Sequence, residues 1–228
     1  SGAIYNKRRR RRRRRRKRQM ITPSPTPRKV ALVGAEWEEN IAIRSLAAAC
    51  IKAGHEVALL SFGAPEEVPR LAATLACGGH DLIGLSVAFQ HRAREFKELA
   101  RAVRGLGYKG HITCGGHVVT AAWREVLADQ PGVDSVVRHD GELTLLELLD
   151  ALDQPGQWPD LPGVCARDPD GTPAAAPPRE QVIELDALPF PHRDRPHSRH
   201  VGLGFAPIVG SRGCYADCAY CCINSWHR

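Results

Sequence analysis

Lys29-Val-Ala-Leu-Val-Gly34, then Asn40-Ile-Ala-Ile-Arg-Ser-Leu-Ala-Ala-Ala-Cys-Ile-Lys-Ala53, then Glu56-Val-Ala-Leu-Leu60 are the three consecutive pieces that decide the fold. Val30–Val33 is an unbroken apolar run of strand length ending at Gly34. A strand without polar alternation is covered on both faces, as in a parallel sheet. Asn40–Ala53 places Ile41, Leu46, Ala49 and Cys50 at helical spacing and stops at Gly54. Glu56–Leu60 is a second short strand. Strand, helix and strand in so short a span form a βαβ unit, whose two strands run parallel.

The same alternation continues outward. Pro65–Ala76 reads as a helix with proline in its first turn. Asp81–Val87 is a third strand, Ala93–Leu106 a long amphipathic helix, and His111–Cys114 a fourth strand followed by Gly115-Gly116. A helix over about Ala121–Ala128, a fifth strand over Asp134–Val137 and a helix over Leu143–Leu152 complete the series. Five strands alternating with helices predict an α/β domain over residues 29–153, built on a five-stranded doubly wound parallel sheet. Ligands of such sheets sit beyond the carboxyl ends of the strands. The loops Gly34–Asn40, Ser86–Arg92, Gly115–Thr120 and Arg138–Glu142 are therefore the ones to inspect.

From Gln154 the composition changes. Proline and glycine become frequent, and residues 154–205 read as a linker. Within it Val164–Arg167 and Asp168-Pro-Asp-Gly171 suggest a small hairpin. Leu188-Pro-Phe-Pro191 and the stretch to His200, with His192 and His197, read as chain laid over a surface. Ala206–Gly210 reads as one further short strand leading into the cysteines.

Charge is concentrated at the other end. Of the 32 lysines and arginines, 12 fall between Lys7 and Arg18, so the +7 formal charge of the chain is local to that run. A run of like charge repels itself and stays unfolded. It is read either as a nucleic-acid-binding or import tail or as sequence upstream of a natural start at Met20, the single methionine. The remainder is mildly acidic, and no nucleic-acid partner is expected for it. Residues 1–28 are expected to form a disordered Arg-rich and Pro-rich tail. No apolar run has the length of a membrane span. Cys50, Cys77, Cys114 and Cys165 are scattered among apolar residues, which fits a reducing, cytoplasmic setting and not a disulfide framework.

Four of the eight cysteines cluster near the end, as Cys214-x-x-x-Cys218-x-x-Cys221-Cys222. Three thiolates at that spacing suit three irons of a 4Fe–4S cluster and leave the fourth iron open. Zinc is the competing use, with Cys222 and His227 as further ligands. Structural zinc favours paired knuckles, however, and adjacent Cys221 and Cys222 suit one ion poorly.

Ser211-Arg-Gly-Cys-Tyr-Ala-Asp-Cys-Ala-Tyr-Cys221, with an aromatic before the last cysteine, resembles the opening cluster loop of the radical S-adenosylmethionine (SAM) family. The resemblance implies that Cys214, Cys218 and Cys221 hold the cluster. It also implies that SAM chelates the open iron and is cleaved to a 5′-deoxyadenosyl radical. Ser86-Val-Ala88 and Gly115-Gly116 look like the later part of a cobalamin-binding signature. Leu185-Asp-Ala-Leu-Pro-Phe-Pro191 and Arg138-His-Asp-Gly-Glu142 are similar to segments of the same proteins. Over residues 29–228 the chain thus resembles the cobalamin-binding subclass of the radical SAM family. The resemblance implies a flavodoxin-like cobalamin domain, a linker, and the start of a truncated (β/α) barrel at residues 206–228. Also implied are cobalamin contacts from Ser86, Gly115, Gly116, Gln90 and His117, a small-molecule substrate, and an electron donor such as a flavodoxin or ferredoxin. Methyl transfer to an unactivated carbon is the expected reaction, with cyclisation or rearrangement also known in the family. The chain on its own is expected to be inactive, and a non-catalytic cobalamin- or metal-binding module, or a truncated gene product, is the alternative.

One departure stands out. The family signature opens with Asp-x-His-x-x-Gly, whose histidine replaces the lower axial ligand of cobalt. The matching stretch here is Glu39-Asn-Ile-Ala-Ile-Arg44, with Ile41 in the histidine position. His55 and His91 lie too far along the chain to replace it. Cobalamin is therefore expected to bind without a histidine from this domain. Of the neighbouring residues, Arg92 is read either as facing the pocket or as a plain surface charge.

Overall fold

The computed structural model describes residues 20–36, 39–180, 185–194, 198–200, 203–216, 218–221 and 223–226. The basic run, His197, Cys222 and His227 lie outside the described residues.

Five parallel strands form as the sequence predicts: β1 (Lys29–Gly34), β2 (Glu56–Ser61), β3 (Leu82–Ser86), β4 (His111–Gly115) and β5 (Ser135–Val137). Their order across the sheet is β2-β1-β3-β4-β5. The chain thus winds one way from β1 to β2 and the other way from β3 onward, leaving a switch point between β1 and β3. The helices are α1 (Ile41–Lys52), α2 (Val68–Cys77), α3 (Ala93–Gly105), α4 (His117–Ala121), α5 (Trp123–Asp129) and α6 (Glu142–Ala151). The helix expected over about residues 121–128 is α5, and a further short helix, α4, precedes it.

The unbroken apolar run of β1 is explained by its surroundings. Ala31 and Val33 join one core with Leu71, Leu75, Phe96 and Leu99. Val30 and Leu32 join the core on the opposite face with Ala47, Leu145, Leu148 and Leu149. Alternate side chains of a strand point to opposite faces, so a strand with helices on both sides must be apolar throughout. Asn40 caps α1, its side chain accepting from the Ile43 amide at 3.3 Å, a preferred N-cap arrangement.

Two features of residues 154–210 differ from expectation. The Val164–Arg167 hairpin forms, but it belongs to the main sheet. Strand β6 (Val164–Arg167) pairs antiparallel with β5, and β7 (Pro173–Ala175) pairs with β6, giving seven strands in all. Cys165 and Val164 are fully buried, so this edge is packed. Arg167 fastens it by donating to the carbonyls of Leu127, Gln130 and Val133 at 2.7–2.9 Å. Ala206–Gly210 is not a strand. The short strands lie earlier, at β8 (Ser198–His200) and β9 (Leu203–Phe205), which pair antiparallel with each other. Ile208 and Val209 are exposed and have no neighbouring strand to join among the described residues. A short helix α7 (Ile223–Trp226) follows the cysteines. No helix among the described residues is long and apolar enough to cross a membrane.

Candidate cofactor site at the carboxyl edge of the sheet

Ser86 and Gly115 end neighbouring strands and lie in register. The ladder runs one step further, where the Val87 amide donates to the Gly115 carbonyl at 2.8 Å. The two glycines play different parts. Gly116 has φ +107°, and a Cβ there would fall 2.6 Å from the Val87 carbonyl oxygen. Its missing side chain is required by the turn itself. A Cβ on Gly115 would meet only the Val137 carbonyl oxygen, at 3.6 Å. The surface over Gly115 is therefore an open cradle of bare backbone, bordered by Ser86. A large flat ligand such as a corrin can approach it closely, and to this extent the residues present fit cobalamin.

The other expected contacts are spread along the same edge. Gln90 opens a single 3₁₀ turn after β3 and is exposed. His91 is also exposed, its ring 5.7 Å from that of Phe89. Arg92 is neither a pocket nor a surface residue. It is 3% exposed, donates to the Phe62 carbonyl at 3.1 Å, pairs with Glu95 and lies over the Phe62 ring at 5.1 Å. A guanidinium buried at this point is tolerated because carboxylate, carbonyl and ring face share its charge. His117 opens α4, and its ring sits 4.1 Å from that of Trp226.

The side of the signature that departs from the family is filled. Arg44 stands where the motif has glycine, and its side chain is 6% exposed. It donates to both oxygens of Glu36 at 2.8 and 3.1 Å, to Asp194 at 3.1 Å and to the His192 carbonyl at 2.9 Å. Arg193 adds a two-point contact to Glu39. Burial opposes the charge on Arg44, but the paired Glu36 and Asp194 outweigh it and raise the guanidinium above its ordinary range. Sequence reading does not find this cluster, because Asp194 lies 150 residues from Arg44. The acid-rich Glu36–Glu39 stretch beside Arg44 is the available signal. Ile41 opens α1, and an alkyl side chain offers no donor for a metal. His55 lies at the amino end of β2, where its Nδ1 accepts from the Arg28 amide, so it is at the opposite end of the sheet from Ser86.

Cys214, Cys218 and Cys221 are free and exposed, whereas Cys50, Cys114 and Cys165 are buried. Burial pushes the Cys50 and Cys114 thiols up to about 12, which keeps them protonated and inert. In the cysteine loop Gly213 takes φ +88°. The Ala216 amide donates to the Cys214 sulfur at 3.4 Å, and the Cys221 amide to the Cys218 carbonyl at 3.0 Å. Among the described residues no three His, Cys, Asp or Glu side chains converge as a single-ion site. The donor set fits iron–sulfur ligation in its chemistry, with the three thiols spread along an exposed loop. That loop lies against the sheet. Arg212 pairs with Asp140 in the loop after β5 at 3.0 Å and with Glu142 at the start of α6 at 2.5 Å.

A cleft of about 400 Å³ opens elsewhere, between Arg28, His80, Asp81, Lys109 and Trp158. It lies at the amino ends of β3 and β4, away from Ser86 and Gly115. Doubly wound sheets bind at their carboxyl ends, and the carboxyl edge is the better candidate.

The domain has counterparts of similar sequence and fold among known proteins. Residues 28–149 match the B12 binding domain family. An uncharacterized methyltransferase of Pyrococcus horikoshii is 28% identical over 62% of this chain and 31% of its own length. The hopanoid C-3 methylase of Methylococcus capsulatus is 26% identical over 82% of this chain and 36% of its own. The chain thus spans about a third of the curated relatives it matches. Among solved structures, the cobalamin-dependent SAM radical enzyme OxsB, with aqua-cobalamin and SAM bound, superposes with a TM-score of 0.62 at 20% identity, covering 72% of this chain and 24% of that one. The radical SAM methyltransferase TsrM from Kitasatospora setae, with tryptophan and a SAM analogue bound, gives 0.57 at 22% identity over 67% and 30%. At such identities the likeness is one of fold. These matches bear out the resemblance to cobalamin-binding radical SAM proteins, and with more than half of its length matched, the chain belongs to the B12-binding domain family.

Proposed function

We propose that this chain carries the cobalamin domain and the cluster loop of a radical SAM enzyme that transfers methyl groups to unactivated carbon. The proposed organisation is a cobalamin-binding domain at 29–153, a connecting segment at 154–205 and the beginning of the radical SAM domain at 206–228. Three free, exposed thiols at Cys214, Cys218 and Cys221, following a B12-binding domain, carry this proposal. Both curated relatives are methyl-transferring by name. The activity proposed is that of the whole protein, with a small-molecule substrate, a flavodoxin or ferredoxin as electron donor, and a cytoplasmic setting. The 228 residues by themselves are expected to be inactive.

When bound, the cluster with SAM supplies a carbon-centred radical, and cobalamin supplies the methyl group. The residues of this chain hold and orient. Cys214, Cys218 and Cys221 would be the cluster ligands, and the Ala216 amide donates to the Cys214 sulfur. Gly115 and Gly116 give the corrin bare backbone, and Ser86, Gln90 and His117 border it with polar groups. Ile41, in the position where the family signature has histidine, would offer cobalamin no imidazole.

Anaerobic reconstitution with ferrous iron, sulfide and hydroxocobalamin tests the proposal. About four irons per chain, thiolate-to-iron charge-transfer absorption and one cobalamin are expected. Replacing any of Cys214, Cys218 or Cys221 by alanine removes the iron and leaves the cobalamin. One bound zinc without iron would instead establish a metal-binding module.

A further inference from the structure

Two residues that flank the cysteine loop touch the sheet domain, one on each side. Before the loop, the Arg212 guanidinium spans Asp140 and Glu142. The Glu142 side chain is 5% exposed and that of Asp140 16%, so Arg212 neutralises acids the fold has already drawn out of water. Beyond the loop, the Trp226 ring lies 4.1 Å from His117 and 5.6 Å from His139. The His139 Nδ1–H donates to the Trp226 carbonyl at 3.0 Å. His139 itself is held at φ +62°, rare for a residue with a side chain, and its amide donates to Thr120. The receiving residues follow β4 and β5, the strand ends beside Gly115.

We infer that Arg212 and Trp226 are positioning residues that clamp the cysteine loop at both ends onto the carboxyl edge of the cobalamin domain, fixing the distance between the two cofactor sites. The inference rests on the function proposed above for the identity of those cofactors, but the clamp is a property of the chain without them. Cys214, Cys218 and Cys221 are exposed, so the contacts at the loop ends are what tie them to the sheet domain. A bidentate arginine on buried carboxylates is directional and holds orientation as well as distance. The indole, tilted against His117 and edge-on to His139, supplies the apolar half of the clamp.

The full chain tests this in two states. In the cofactor-free chain, hydrogen exchange of the amides at 211–226 is read for wild type, Arg212→Ala, Trp226→Ala and the double variant. Exchange in this segment should rise about tenfold or more in each single variant, with exchange in β1, β3 and β4 unchanged. Arg212→Lys keeps the charge but loses the fork and should fall between wild type and alanine. In the reconstituted chain, the magnetic interaction between cob(II)alamin and the reduced cluster should weaken in Arg212→Ala while iron and cobalamin stoichiometries hold. Exchange at 211–226 that is equal in wild type and the double variant overturns the clamp, as does an unchanged magnetic interaction. A chain that binds neither cofactor refutes the proposed function, and the exchange of the cofactor-free chain still decides the clamp.

Discussion

Replacing Gly116 by alanine should destabilise the domain strongly, while the same change at Gly115 should hardly affect it. At Gly116 the backbone has φ +107° and ψ 172°, a region that residues with side chains enter at a cost of roughly 1–3 kcal/mol. The new Cβ would also lie 2.6 Å from the Val87 oxygen and 2.9 Å from its carbon. These are backbone atoms held in the β3–β4 ladder, so relief requires the strand end to shift, at about 1–3 kcal/mol more. The combined loss is about 2–6 kcal/mol, or roughly 4–24 °C in Tm for a chain of this size. At Gly115 the added methyl meets only the Val137 oxygen, at 3.6 Å, and stability should stay within about 1 kcal/mol. That methyl occupies the open cradle, so Gly115→Ala should weaken cobalamin binding about tenfold, equivalent to ~1.4 kcal/mol. Urea unfolding followed by far-ultraviolet circular dichroism measures the first effect, and spectral titration with hydroxocobalamin the second. A Gly116→Ala chain as stable as wild type would refute the steric account. Unchanged cobalamin affinity in Gly115→Ala would remove the cradle from the site.

Particular contacts carry three more expected outcomes. Burial lowers the His111 imidazole from 6.5 to about 4. Between those values the unfolded chain binds a proton that the folded chain does not, so stability should fall by up to about 3 kcal/mol as pH drops from 6.5 to 4. His111→Asn should flatten that part of the pH–stability curve, and an unaltered slope would contradict it. Arg167→Met leaves the carbonyls of Leu127, Gln130 and Val133 without their donor and should cost about 2–4 kcal/mol in chemical denaturation. With Ile41 in the histidine position, the cob(II)alamin form should show no nitrogen coupling from a protein imidazole in its EPR spectrum, and such a coupling would point to a ligand from elsewhere in the chain.

Much of the domain is legible because its code is local. Val30–Val33, Leu82–Leu85 and Ile112–Cys114 are too short for helices and too uniformly apolar for one-sided strands, so a doubly covered parallel sheet is the available solution. The edge hairpin reads as a hairpin but not as part of the sheet. Docking Val164 and Cys165 beside β5 is a long-range pairing, and three apolar residues followed by an arginine do not state their partner. The strand expected at Ala206–Gly210 does not form for the same reason, since Ile208 and Val209 carry strand propensity with no neighbour to pair with among the described residues. Arg92 is ambiguous in the sequence because its neutralisation comes partly from the Phe62 carbonyl and ring, 30 residues away.

Spacing along the chain is enough for the order of strands and helices, for the doubly wound topology they imply, and for setting the exposed Cys214, Cys218 and Cys221 apart as a cluster, though not for finding that Cys77 is exposed while Cys50, Cys114 and Cys165 are buried. Each of these rests on patterns within about a dozen residues, which the chain displays directly. Packing alone reveals that Gly116 serves the turn while Gly115 opens a cradle, and that Arg44 closes the ground a glycine would have left clear. Packing also brings Arg212 and Trp226 to hold the cysteine loop against the sheet. These features depend on where a carbonyl, a carboxylate or a ring arrives from a distant part of the chain, and no local pattern encodes that arrival.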